Sequence, residues 1–156
     1  MKVENYIKNG YHLEKKVLST STILQLKNYL KTLEPKLKLP FSDIPWGYGN
    51  LLNEGPFKQV TDHDYIKGFC SNVFKDKYIF NHLMVNNKAS WIGSAVEWHQ
   101  EIFNVDSYAP GYSSKDWKHF MQIYIALDEH TVENGCLRII PNSDKLGVLP
   151  CEDIIG

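Results

Sequence analysis

Val96-Glu97-Trp98-His99-Gln100-Glu101 places an imidazole and a carboxylate two residues apart. The stretch reads as a β-strand. Successive side chains on a strand point to opposite faces, so His99 and Glu101 share one face while Trp98 and Gln100 point the other way. A metal ion can take two neighbouring ligands from such an element, and the third must come from elsewhere. Two His and one carboxylate on one side of an ion, with open positions opposite, describe a non-haem Fe(II) oxygenase site. A lone His-x-Glu is weak evidence, because most such pairs are ordinary surface residues. The sequence on either side decides how far the reading goes.

The chain of 156 residues is long enough for one domain with a modest core, and residues 1–156 are read as that single domain. Hydrophobic residues make up 43% and charged residues 22%, the balance of a soluble globular protein. Seventeen basic and eighteen acidic residues leave a net charge of −1, which favours neither nucleic acid nor an anionic membrane as partner. Three widely spaced cysteines, Cys70, Cys136 and Cys151, form no CxxC pair and no disulfide framework. A reducing, cytoplasmic compartment follows as the expectation. The N-terminus lacks a basic-then-apolar signal pattern, and no apolar run is long enough to span a bilayer.

Upstream of the opening stretch, the pattern is helical. Thr22 and Gln25 have capping-box spacing, and Ile23, Leu26, Leu30 and Leu33 recur at helical intervals until Pro35. A second helix is expected from near Thr61, carried by Tyr65, Ile66, Phe69, Cys70, Val73 and Phe74. Asp62-His63-Asp64 has the composition of a ligand cluster, but at a helix start the three diverge, and the acids suit the dipole. Tyr11-His12-Leu13 reads as a short strand, with His12 at a surface or edge. Residues 40–56, rich in Pro and Gly, form a loop.

From Tyr78 the pattern turns to strands, over residues 78–85, 89–103, 117–127 and 136–140. Asn134-Gly135 is a turn dipeptide before the last of these. Within 117–127, Gln122, Tyr124 and Ala126 share one face, and Met121, Ile123, Ile125 and Leu127 share the other and read as core. Helices over 19–76 followed by strands over 78–149 predict an α+β chain, mainly β.

Ala126-Leu127-Asp128-Glu129, then Glu133-Asn134-Gly135-Cys136-Leu137-Arg138 and Pro141-Asn142-Ser143-Asp144-Lys145, follow the Trp98-His99-Gln100-Glu101 strand. In order and approximate spacing these blocks resemble the phytanoyl-CoA dioxygenase family, most clearly over residues 96–149. The resemblance implies a double-stranded β-helix, or jelly roll, with the N-terminal helices packed on one sheet. It implies Fe(II) as cofactor, with 2-oxoglutarate, O₂ and a small-molecule substrate as reaction partners. It carries His99 and Glu101 onto the first two metal positions, and puts Gln100, Gln122 and Tyr124 at or near the cosubstrate pocket.

The chain departs from the family in three places. Glu101 stands where the family usually has Asp, and its extra methylene moves the carboxylate outward. Asp144 replaces the His of a Ser-His-Lys segment. The distal metal-binding His and the Arg that grips 2-oxoglutarate lie, in the family, beyond the point where this chain stops at Gly156. Arg138 is the only arginine, and the family does not use its position for that grip. Of the remaining histidines, His82 and His119 fall on expected strands and read as structural. The jelly roll is therefore expected to be incomplete at its C-terminus. One expectation is the N-terminal portion of a hydroxylating oxygenase, impaired in this form. The alternative is a non-catalytic jelly-roll module that forms a homo-oligomer through its open sheet edge. A cupin-like metal enzyme is a third and weaker alternative. The substrate itself is not legible.

Overall fold

Ser19-Thr20-Ser21-Thr22 offers four consecutive hydroxyl residues, each with the chemistry of a helix cap. The computed structural model, which describes residues 2–33, 51–86, 98–101, 111 and 118–149, selects Ser19. The Ser19 Oγ accepts the Thr22 backbone N–H at 3.0 Å, and the helix runs Thr20–Leu33. The cap thus lies three residues before the expected Thr22, and Gln25 instead accepts a bond from the Gln59 side chain at 3.2 Å.

Before it lies a further, short helix, in which Val3, Tyr6 and Ile7 stand at helical spacing. Helix α1, Lys2–Asn9, buries no residue completely and ends at Gly10, with φ +80°. The Thr20–Leu33 helix is α2. A 3₁₀ turn, Gly55–Phe57, leads into the short α3, Lys58–Thr61, and then α4, Asp64–Phe74. The expected start near Thr61 belongs to the end of α3. His63, extended at φ −66° and ψ 124°, separates the two helices and is the N-cap residue of α4. Lys75 closes α4 in the left-handed region, its N–H donating to Ser71 C=O.

The core gathers Leu26 of α2, Leu51, Phe57, Val60 of α3, and Ile66 and Cys70 of α4. Among the described residues, Leu26 and Cys70 are the largest side chains that are fully buried. Burying a Leu, Ile or Phe side chain stabilises a fold by about 1.5–3 kcal/mol, so these few residues carry much of the helical layer. Leu30, Leu33, Phe74 and Tyr78 pack around them. The C-terminal half joins this core through Met121, Ile125 and Leu127. An ion pair between Lys27 and Asp128 adds a second link to α2.

The jelly roll is not what the structure contains. Among the described residues there are helices and turns, with no strand and no sheet. Residues 78–85, 118–127 and 136–140 carry the expected strand composition but form no ladder. A strand exists only where a neighbour supplies donors and acceptors along its length. Here Leu51 N–H donates to Leu83 C=O at 2.8 Å, and Val85 forms an isolated bridge. The alternation still governs burial in part. Met121, Ile125 and Leu127 face the core and Gln122, Tyr124 and Ala126 are exposed, but Ile123, expected inside, is exposed as well. Most of the expected strand 89–103 and the loop 40–50 lie outside the described residues. Among the described residues no sheet edge is present to carry the expected pairing between copies, nor is any helix long and apolar enough to cross a membrane. Cys70 and Cys136 are free thiols.

Tyr11-His12-Leu13 forms no strand, and His12 is half-buried, stacked on Phe69 at 5.5 Å. It belongs to a polar cluster around Glu14, which accepts bonds from Tyr65 Oη at 2.9 Å and Lys2 Nζ at 2.5 Å. His12 Nε2 lies 3.3 Å from the same carboxylate. The Lys2 ammonium, ahead of the Tyr65 hydroxyl, holds the Glu14 carboxyl down at about 2. Asp62 pairs with Lys58 and Lys67. The Asp62-His63-Asp64 cluster is thus part of a helix junction.

The segment after Pro141 returns to α1. Asn142 is left-handed, with φ +64°, and starts a 3₁₀ turn, Ser143–Leu146. Asn142 N–H donates to Asn9 C=O at 2.8 Å, and Lys145 Nζ donates to Lys8 C=O at 2.6 Å. Asp144 lies directly against Gly10, where a Cβ would collide with its carboxylate.

Candidate metal site

Residues 98–101 are held against residues 138–149 by three contacts. The Arg138 guanidinium stands over the Trp98 ring, 4.8 Å from its centroid. Gln100 Nε2 donates to Gly147 C=O at 2.9 Å, and Leu149 N–H donates to Gln100 Oε1 at 2.8 Å. Trp98 and Gln100, the two residues expected to turn away from the metal face, are the ones that dock.

His99 and Glu101 meet each other. His99 Nε2 lies 3.4 Å from Glu101 Oε1, with the side chains 39% and 54% exposed. Two ligand atoms each about 2.1 Å from one ion lie about 3.0 Å apart at a right angle and about 3.4 Å apart at the tetrahedral angle. At 3.4 Å the pair has the tetrahedral spacing and would close by about 0.4 Å to occupy two adjacent octahedral positions; a nitrogen with a carboxylate oxygen is a donor set that suits Fe(II). The extra methylene of Glu101 does not prevent the approach. Among the described residues no three His, Cys, Asp or Glu side chains are grouped to hold a metal. All six histidines are described, so no second histidine completes such a group with the pair.

Tyr124 belongs to a different neighbourhood. Its hydroxyl lies 3.3 Å from His130 Nδ1, and the two rings meet edge to face at 5.6 Å. Partial desolvation of this half-exposed ring, with the nearby Cys136, pushes the Tyr124 phenol above its ordinary value. Gln122 is exposed. Among the described residues no hydrogen bond or ring contact joins Gln122 or Tyr124 to residues 98–101.

Two features of this region have no counterpart in the sequence reading. Arg138 over Trp98 combines two residue types with known affinity, but 40 positions separate them and no local pattern links them. The Gln100 contact is made to main chain, which every residue carries, so the residue types at 147 and 149 signal nothing.

A family model for phytanoyl-CoA dioxygenase matches residues 6–152. Comparison with curated proteins and comparison with solved structures each returned no match.

Proposed function

The chain belongs to the phytanoyl-CoA dioxygenase family, and on that premise we propose that it is an Fe(II)- and 2-oxoglutarate-dependent oxygenase acting on a small molecule, with His99 and Glu101 as metal ligands. The observation that carries this reading is the 3.4 Å approach of His99 Nε2 and Glu101 Oε1 on an exposed surface. Bound there, Fe(II) supplies O₂ activation with 2-oxoglutarate as cosubstrate, for oxidation of a substrate C–H bond.

The chain's own residues bind and orient. His99 acts as ligand through a ring nitrogen. Glu101 contributes the negative charge that offsets part of the ion's. Gln122 and Tyr124 are proposed to face the cosubstrate, and Gln100 to border its pocket with its amide held by Gly147 and Leu149. The raised Tyr124 phenol keeps its proton at neutral pH and remains a donor suited to a carboxylate.

The test is an anaerobic Fe(II) titration with and without 2-oxoglutarate. A weak visible charge-transfer band is expected only when both are present, and His99→Ala should abolish it. A titration unchanged by His99→Ala would remove His99 from the site.

A further inference from the structure

We propose that Gln100 is a positioning residue for the His99–Glu101 pair, its side-chain amide clamping the backbone between the two ligands onto residues 147 and 149. The inference rests on the reading of His99 and Glu101 as metal ligands and assigns a role to the residue between them.

The amide behaves as a peptide group would. Gly147 C=O and Leu149 N–H flank one residue, which is the pair of groups that an adjacent strand meets at a parallel bridge. Gln100 supplies the complementary donor and acceptor from a side chain, at 2.9 and 2.8 Å. The two bonds together fix which end of the amide is which. Turned over, it would set N–H against N–H and C=O against C=O. Where no ladder holds residues 98–101, this clamp does the work of one.

The clamp is itself anchored. Residues 142–147 bind the end of α1 through Asn142 N–H to Asn9 C=O and Lys145 Nζ to Lys8 C=O. Trp98 under Arg138 restrains the other flank of His99. The Cα of Gln100 is the atom through which the spacing of the two ligands is set. Freed from Gly147 and Leu149, it would let the two side chains separate, and a binding ion would then have to order them. Partners that orient metal ligands in this way typically change affinity by about 10–100-fold when removed.

The experiment uses the full chain and Co(II) alone as probe, read by its visible d–d absorption. Gln100→Met keeps the side-chain length and removes both hydrogen bonds. It should weaken Co(II) binding by about 10–100-fold and change the band shape, because the angle between the ligands changes. Ile66→Val, a core substitution that lowers the unfolding temperature without touching residues 98–101, should leave affinity and band unaltered. Hydrogen exchange of the Leu149 amide gives a metal-free readout, slow in the wild type and fast in Gln100→Met. Should Gln100→Met not fold, Gln100→Asn, one methylene shorter, is expected to move all three readouts the same way. If His99→Ala loses Co(II) while the Gln100 variant binds as wild type, the positioning role is overturned and the metal reading stands. If His99→Ala binds Co(II) unchanged, the metal reading falls and takes this role with it. Equal Leu149 exchange in wild type and variant would overturn the clamp itself.

Discussion

Gly10→Ala strikes the point where the two ends of the described chain meet. Gly10 has φ +80°, and an added Cβ would collide with the Asp144 carboxylate. A non-glycine residue in the left-handed region costs about 1–2 kcal/mol. Displacing Asp144 would also pull away the Asn142 N–H to Asn9 C=O bond, at 2.8 Å, a loss of about 1 kcal/mol. The exposed Lys145 contact adds less. The total is about 3 kcal/mol, and at roughly 2–4 °C per kcal/mol for a chain of this size the unfolding midpoint should fall by roughly 6–12 °C. The assay is thermal unfolding followed by far-ultraviolet circular dichroism. A second substitution separates the causes. Asp144→Ala leaves a Cβ 3.5 Å from the new methyl, an ordinary contact. The double variant should recover about half the loss, the collision part, and keep the part due to φ. Asp144→Ala alone removes a buried carboxylate oxygen that has no hydrogen-bond partner among the described residues, and should be close to neutral. A Gly10→Ala midpoint equal to wild type, or no recovery in the double variant, would refute the packing of residues 142–147 on α1.

Two further outcomes follow from local chemistry. Ser19→Ala removes the α2 cap and should cost about 0.5–2 kcal/mol in urea unfolding, while Thr22→Ala, which leaves the Ser19 Oγ in place, should cost less. The reverse order would return the cap to Thr22. Glu14 has its carboxyl lowered from 4.5 to about 2, so its contribution is complete above pH 4.5 and is lost as pH falls towards 2. The urea midpoint of the wild type should fall more steeply over that window than that of Glu14→Gln, and parallel curves would show that the Lys2–Glu14–Tyr65 cluster is not formed in solution.

What the sequence made legible, and what it hid, divides along physical lines. Helices α2 and α4 were readable because Leu26, Ile66 and Cys70 bury at the helical period. Their starts were not, since four hydroxyl residues compete for one cap, and since Thr61 and Asp64 flank a break that only the extended backbone of His63 reveals. Helix α1 does carry Val3, Tyr6 and Ile7 at helical spacing, but it is only eight residues long and buries none of them fully, so the run reads as mixed. The alternation over residues 117–127 placed Met121, Ile125 and Leu127 on the core side, where they lie, but also Ile123, which is exposed, and no ladder forms among the described residues there. Alternation reports burial on two faces, whereas a sheet also needs a partner in register. His99 and Glu101 could be paired from a two-residue spacing because the contact is local. The long-range anchors on either side of His99, Arg138 on Trp98 and Gln100 on the main chain, depend on how the chain returns.

The central claim is that His99 and Glu101 hold one iron ion between them. Crystals of the full chain soaked anaerobically with Fe(II), measured at the iron absorption edge, test it most directly. The account predicts an anomalous peak about 2.0–2.2 Å from both His99 Nε2 and Glu101 Oε1. A peak bound by other residues, or density for a well-ordered pair with no peak beside it, would contradict it.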